Sequence, residues 1–213
     1  MGIYNERDRS RVMKAVESIL DQTYDKFEFI ICDDGSEQEF YDWLKQYCKK
    51  DTRIRLLRKT QNGGLAAALN ACLAEAKGDY VARMDADDLS KPDRFERQLD
   101  FLTAHPEYAL TGCGAELIDG EGSWGKRIPA ETPQKSDFLW NSPFIHPTVI
   151  IRKNVLEELG GYVTAAYAER TEDYDLFMRM YAAGYQGYNL QECLFQYRED
   201  RKAYAKRKYR YRI

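Results

Sequence analysis

The sequence predicts an α/β fold, a mostly parallel sheet flanked by helices, and three observations carry that expectation. Helix-period and strand-like apolar segments alternate through the first two-thirds of the chain. Two of the strand-like segments run straight into carboxylates, at Asp33-Asp34 and at Asp85-Ala86-Asp87-Asp88. With 213 residues and 44% apolar content the chain can bury one core. A single domain over residues 1–213 follows.

Val12, Val16, Ile19 and Leu20 form a helical stripe, and Phe27, Phe29, Ile30 and Ile31 read as a buried strand ending at Asp33. Ser36 is placed to cap the next helix, with Glu39 closing a capping box and Phe40, Trp43, Leu44 and Tyr47 on the buried face. Ile54, Leu56 and Leu57 suggest a strand, Gly63-Gly64 a turn, and Leu65 to Lys77 an alanine-rich helix. The strand Tyr80 to Met84 leads into the acidic run. Ser90 as cap and Pro92 in the first turn open a helix carrying Phe95, Leu99 and Leu102.

Beyond Tyr108 the alternation loosens. Leu110 to Cys113 reads as a strand, Gly120 and Gly122 as a turn, Trp124 to Pro129 as an extended return and Thr148 to Ile151 as a last sheet strand. A helix from Asn154 to Leu159 stops at Gly160 or Gly161, and Thr171 is placed to cap a helix that buries Leu176, Phe177 and Met180.

The 32 basic and 35 acidic side chains nearly cancel, to a net charge of -3, which argues against a nucleic-acid binder. The balance is uneven: Arg201 to Ile213 carries seven basic residues and no acid. A solvated helix face accounts for such a run, and peripheral contact with an anionic membrane, aided by Tyr204, Tyr209 and Tyr211, is the sharper reading. Five scattered cysteines without a C-x-x-C pair suit reduced thiols. No apolar run approaches the ~18 residues of a membrane span. A cytoplasmic protein is expected, touching the inner face of the membrane at most.

In open α/β sheets ligands bind beyond the carboxyl ends of the strands, so acids placed there are site candidates. In extended backbone Asp85 and Asp87 project the same way. Two converging carboxylates repel unless a cation sits between them, and hard oxygen ligands favour Mg2+ or Mn2+. Acids at strand ends can also serve only as helix starters, and Asp173 alone reads as a first-turn acid facing the helix dipole.

Four strings in order, Gly2-Ile3-Tyr4-Asn5-Glu6, Cys32-Asp33-Asp34-Gly35-Ser36, Arg83-Met84-Asp85-Ala86-Asp87-Asp88 and Thr171-Glu172-Asp173, resemble the family 2 glycosyltransferases of the GT-A fold. The resemblance implies a Rossmann-like domain. Residues 1–107 would form a nucleotide-sugar-binding half, and 108–213 an acceptor-binding half ending in a basic helix. It implies inverting, metal-dependent, non-processive transfer from a nucleotide-diphosphate sugar, UDP being the expected nucleotide, to a saccharide or lipid-linked hydroxyl in cell-surface polysaccharide or glycolipid assembly. Tyr4 and Asp34 would lie around the base and Asp85 at the ribose or a water-mediated contact. Asp87 would bind Mn2+ or Mg2+, and Asp173 would be the general base, with Glu172 an alternative. The pair Tyr197-Arg198 also resembles the family, Arg198 meeting either diphosphate or a surface acid. His146-Pro147-Thr148 is similar too, and His146 suits either the acceptor region or a satisfied core position.

Two departures stand out. The family's apolar first strand is represented only by Met1, so the first strand is expected to be truncated or missing and the sheet compromised, the chain folding with reduced stability or only after association, as in a homo-oligomer. The Gln-x-x-Arg-Trp string of processive synthases is missing. Competing readings are a catalytically inactive sugar-nucleotide-binding scaffold, a receiver-like phosphoacceptor domain built on Asp33, Asp34 and Asp85, and a nucleotidyltransferase.

Overall fold

A computed structural model describes residues 1–165 and 168–202. Tyr204, Tyr209, Tyr211 and most of the basic C-terminal run lie outside the described residues.

The first half builds a three-stranded parallel sheet, ordered β1 (Gly2–Ile3), β2 (Phe29–Asp33), β3 (Ile54–Arg58). Its helices are α1 (Arg9–Leu20), α2 (Gln38–Cys48) and α3 (Gly64–Glu75). β2 is buried along its whole length, as an apolar run covered on both faces requires. The N-cap of α1 is Asp8, whose carboxylate accepts from the amides of Ser10 and Arg11.

The second sheet contains β4 (Tyr80–Ala82), β5 (Leu89–Ser90), β6 (Leu110–Asp119), β7 (Gly122–Arg127), β8 (Ile150–Arg152) and β9 (Gly187–Arg198). Its order is β4-β8-β6-β9-β5, with β7 on β6. Only β6 and β9 run parallel in it; its other pairs are antiparallel. The mostly parallel expectation therefore holds for the first half, and the complete fold is mixed. The remaining helices are α4 (Arg94–Ala104), which follows β5, and α5 (Lys153–Glu158) and α6 (Glu172–Ala182) later in the chain. One apolar cluster joins α1, α2, β2 and Phe95 to Cys113 and Ala115 of β6 and Leu194 and Phe195 of β9, and a second gathers Phe138, Phe144 and Tyr162 with α5 and α6.

The first strand is two residues long. Gly2 pairs with Cys32 and Ile3 with Asp33, while the Met1 ammonium donates to the Ile30 carbonyl at 2.8 Å. Between this point and β4 the sheet opens into a cavity of about 360 Å³ lined by Met1, Ile30, Cys72, Val81 and Met84 among others.

Three local expectations change. Ser36 does not cap α2. Its hydroxyl accepts the Asn5 amide at 2.9 Å, and the Asn5 side chain instead receives the amide of Glu37, the residue before the helix. Ser90 belongs to β5, hydrogen-bonded in a ladder with β9, and α4 starts later, after Asp93. Thr171 does precede α6, but its hydroxyl makes no capping bond. β9 was not legible as a strand because register shifts around Gly114 break the alternation of its partner ladder.

Candidate active site

The parallel ladder between β1 and β2 brings Ile3 and Asp33 side by side, so the residues that follow them, Tyr4 and Asp34, leave adjacent strand ends. Tyr4 is 51% exposed. Asn5 then takes a left-handed conformation, φ 43°, which asparagine tolerates better than most residues and which its two contacts with Ser36 and Glu37 hold in place. Asp34 is buried. Its carboxylate accepts from Lys59 Nζ at 2.6 Å and from the amides of Gly63 at 3.1 Å and Gly64 at 2.8 Å. Those glycine amides are thus turned onto Asp34. Asp33 is wholly buried, with Arg58 3.6 Å away and the Ser36 amide on its other oxygen, the surroundings of a structural acid.

The β4 ladder stops at Ala82, so the acidic run is a loop and strand alternation does not govern its side chains. Asp85 faces a cavity and accepts from Arg83 Nη2 at 2.6 Å, the guanidinium itself being only 4% exposed. Asp88 points inward. One of its oxygens accepts the Arg198 amide at 2.7 Å, and the other is buried without a partner. Arg198 Nε donates to the Asp87 carbonyl at 2.9 Å. The Tyr-Arg pair therefore ends β9 directly against the acidic loop. Burial raises the Asp87 carboxyl above the ordinary range, and the Asp85 charge adds to the effect.

Asp173 stands in the first turn of α6, just after Arg170, which has φ 65°. Burial raises its carboxyl above the usual value, against a lowering hydrogen bond from the Tyr174 amide and the charge of Arg83. Asp173 and Asp85 border the same cavity, about 820 Å³ in volume, with Glu172, Arg83, His146, Trp140 and Tyr197. His146 Nε2 lies 2.9 Å from the Tyr162 hydroxyl, and burial with the nearby Arg83 charge holds its pKa well below the normal imidazole value. The ring is neutral at pH 7.

A hard divalent cation suits the chemistry of this loop: two carboxylates whose charges disfavour one another gain from a positive partner. Among the described residues no three His, Cys, Asp or Glu side chains form a ligand cluster.

Sequence reasoning passed over Arg83, Arg94 and Tyr162. The signal for Arg83 was available, since a basic residue closing an apolar strand before three acids needs a reason. Nothing in the pattern marked Arg94, an arginine on the apolar face of a helix, as a fully buried residue.

Solved structures share this fold. A mannosyltransferase from Pyrobaculum calidifontis, in complex with GDP-Man and Mn2+, superposes with a TM-score of 0.73 at 21% identity, over 99% of this chain and 59% of that one. S. aureus TarS 1-349 with UDP-GlcNAc gives 0.72 at 18% identity, over 93% and 58%. The chain thus spans a little under two-thirds of these neighbours, and the class is the GT-A glycosyltransferase fold. The model for "Glycosyl transferase family 2" matches residues 1–160, and the chain belongs to that family. EpsE of Bacillus subtilis (strain 168), a protein named as a glycosyltransferase, is 41% identical over all of this chain and 76% of its own length. The Escherichia coli UDP-Gal:alpha-D-GlcNAc-diphosphoundecaprenol beta-1,3-galactosyltransferase is 29% identical over 98% of this chain and 75% of its own.

Proposed function

We propose that this glycosyltransferase moves one sugar per turnover, with inversion, from a uridine-diphosphate sugar to a hydroxyl of a saccharide or lipid-linked acceptor in cell-surface polysaccharide or glycolipid assembly. The observation that carries the reading is the pairing of Asp173 with Asp85 on one cavity. Residues 1–107 serve the nucleotide sugar and the later half the acceptor. Tyr4 and the Asp34-held turn face the base, and Asp85 the ribose side.

Asp173 takes the acceptor proton as the acceptor oxygen bonds to the anomeric carbon, and the bond from that carbon to the diphosphate oxygen breaks with its electron pair leaving on the diphosphate. Burial suits Asp173 to this task, because a raised pKa strengthens the carboxylate as a base. Arg198, against the acidic loop, adds positive charge on the leaving-group side. Asp87, with Asp85 beside it, would hold Mn2+ or Mg2+, whose chemistry when bound is to neutralise charge on the diphosphate.

Support for the donor class comes from the UDP-Gal named for one relative and the UDP-GlcNAc bound by one structural neighbour; the GDP-Man of another makes guanosine the competing nucleotide. The diphosphoundecaprenol acceptor of that relative favours work at the inner membrane face. Among the described residues no helix is long and apolar enough to cross a membrane.

A thermal-shift screen of nucleoside diphosphates with and without Mn2+ tests the donor site, with metal-dependent stabilisation by UDP as the expected result. No response to any nucleotide defeats the proposal. Binding without transfer from any UDP-sugar would favour an inactive scaffold, and an α-linked product from an α-linked donor, read by NMR coupling constants, would refute inversion.

A further inference from the structure

We propose that Trp140 is the platform on which the acceptor's sugar ring stacks, an assignment that rests on the reading of Asp173 as the base. Trp140 is 83% exposed and its neighbour Leu139 78%, among the most open large apolar side chains described. An indole left in water forgoes the stabilisation that burying its large apolar area would bring. Exposure beside the cavity that Asp173 borders leaves the ring free to meet a ligand.

The position is built rather than loose. The short 3-10 helix Lys135–Leu139 is fixed by a reciprocal capping box between Gln134 and Asp137, and the Trp140 amide donates to the Asp137 carbonyl at 3.2 Å. Phe138 turns inward against the Tyr181 ring, 4.9 Å between centroids, and its carbonyl receives the Tyr174 hydroxyl. Tyr174 and Tyr181 belong to α6, the helix whose first turn carries Asp173. The platform and the base are therefore tied to one rigid element. A ring seated on Trp140 has its distance to Asp173 set by the fold.

The occupant follows from the chemistry of the walls. The cavity wall mixes the rings of Trp140, Phe144 and Tyr197 with the polar side chains of Asp137, Asn141, Ser142 and Glu172. A pyranose has a face of C–H groups to lay on an aromatic ring and an edge of hydroxyls for the polar rim. A lipid chain would leave these carboxylates desolvated and unpaired.

Two variants and one spectroscopic reading test this. Trp140→Ala should raise the acceptor KM about tenfold or more, roughly 1.4 kcal/mol in binding. Donor KM and donor hydrolysis without acceptor should stay within about twofold, and Trp140→Phe should retain most acceptor affinity. Independently of turnover, methyl glucopyranoside, galactopyranoside and N-acetylglucosaminide, titrated into the UDP and Mn2+ complex, should shift tryptophan emission to the blue. In Trp140→Phe, which keeps Trp43 and Trp124, the shift should vanish. An unchanged acceptor KM in Trp140→Ala, or no emission change with any glycoside, overturns the proposal. A blue shift with phosphatidylglycerol vesicles alone also overturns it, in favour of membrane docking. If no nucleotide stabilises the protein, the donor reading fails separately, and the same glycoside titration into the nucleotide-free protein decides the platform.

Discussion

Arg94, a fully buried arginine on α4, donates through Nη1 to the Pro147 carbonyl at 3.0 Å and to the Arg83 carbonyl at 3.3 Å. One side chain thus ties the backbone that enters the acidic loop to the backbone that follows His146. The rings of Phe95 and Phe195 flank its guanidinium at 5.0 and 5.1 Å, and burial pulls its pKa down to about 10, leaving it charged at neutral pH. One turn along α4, Gln98 repeats the device, donating to the carbonyls of Thr111 and Thr148. Arg94→Met should cost about 2–4 kcal/mol, because buried carbonyls lose their donor and only a cation's desolvation cost is recovered. Urea denaturation checks the size. Nucleotide affinity should fall with it, since Asp85 and Asp87 hang from this scaffold, and a variant of wild-type stability would remove Arg94 from the account.

Asp34 and Lys59 make the second such tie, an ion pair of 2.6 Å whose carboxylate also holds the amides of Gly63 and Gly64. Removing the carboxylate strands a lysine and two amides at once. Asp34→Ala should lose about 3 kcal/mol and loosen the turn ahead of α3. Gly35 guards the same place: its φ is +79°, and a Cβ there would meet the Gln61 carbonyl carbon at 2.6 Å. Gly35→Ala should therefore disturb the same turn, and both variants should bind nucleotide more weakly. Calorimetric titration with UDP reads both, and unaltered affinity in the pair would detach this turn from the donor site.

These two ties explain what the sequence revealed and what it hid. The helices α1, α3 and α4 and the strands β2 and β3 were visible because one-sided or fully covered apolar patterns have local periods. The acids at strand ends were visible because they interrupt those patterns. Arg94, Arg83 and the partners of Asp34 were not, since a buried polar side chain is decided by carbonyls and amides up to 53 residues away in sequence. β9 failed for a similar reason: its partner is β6, nearly eighty residues upstream, and its bulges depend on that pairing. Ser36 and Ser90 looked like caps because the local motif was right, but tertiary partners claimed both hydroxyls.

Asp173 gives the pH dependence a sign. Its carboxyl is raised above 3.8 in the folded state, mainly by burial. As a base it works only when ionised, so kcat/KM should fall as pH drops through that raised value, an acid limb lying above the ordinary aspartate range. Stability runs the opposite way: folding favours the protonated form, so the charge begins to cost stability as pH rises past 3.8 and costs most above the folded pKa. Asp173→Asn should abolish the limb and lower transfer by about 10²–10⁴-fold, while melting no lower than wild type at pH 7 and losing any advantage near pH 3.5. Glu172→Gln, the neighbouring control, should keep the limb. If Glu172→Gln removes it instead, the base is Glu172.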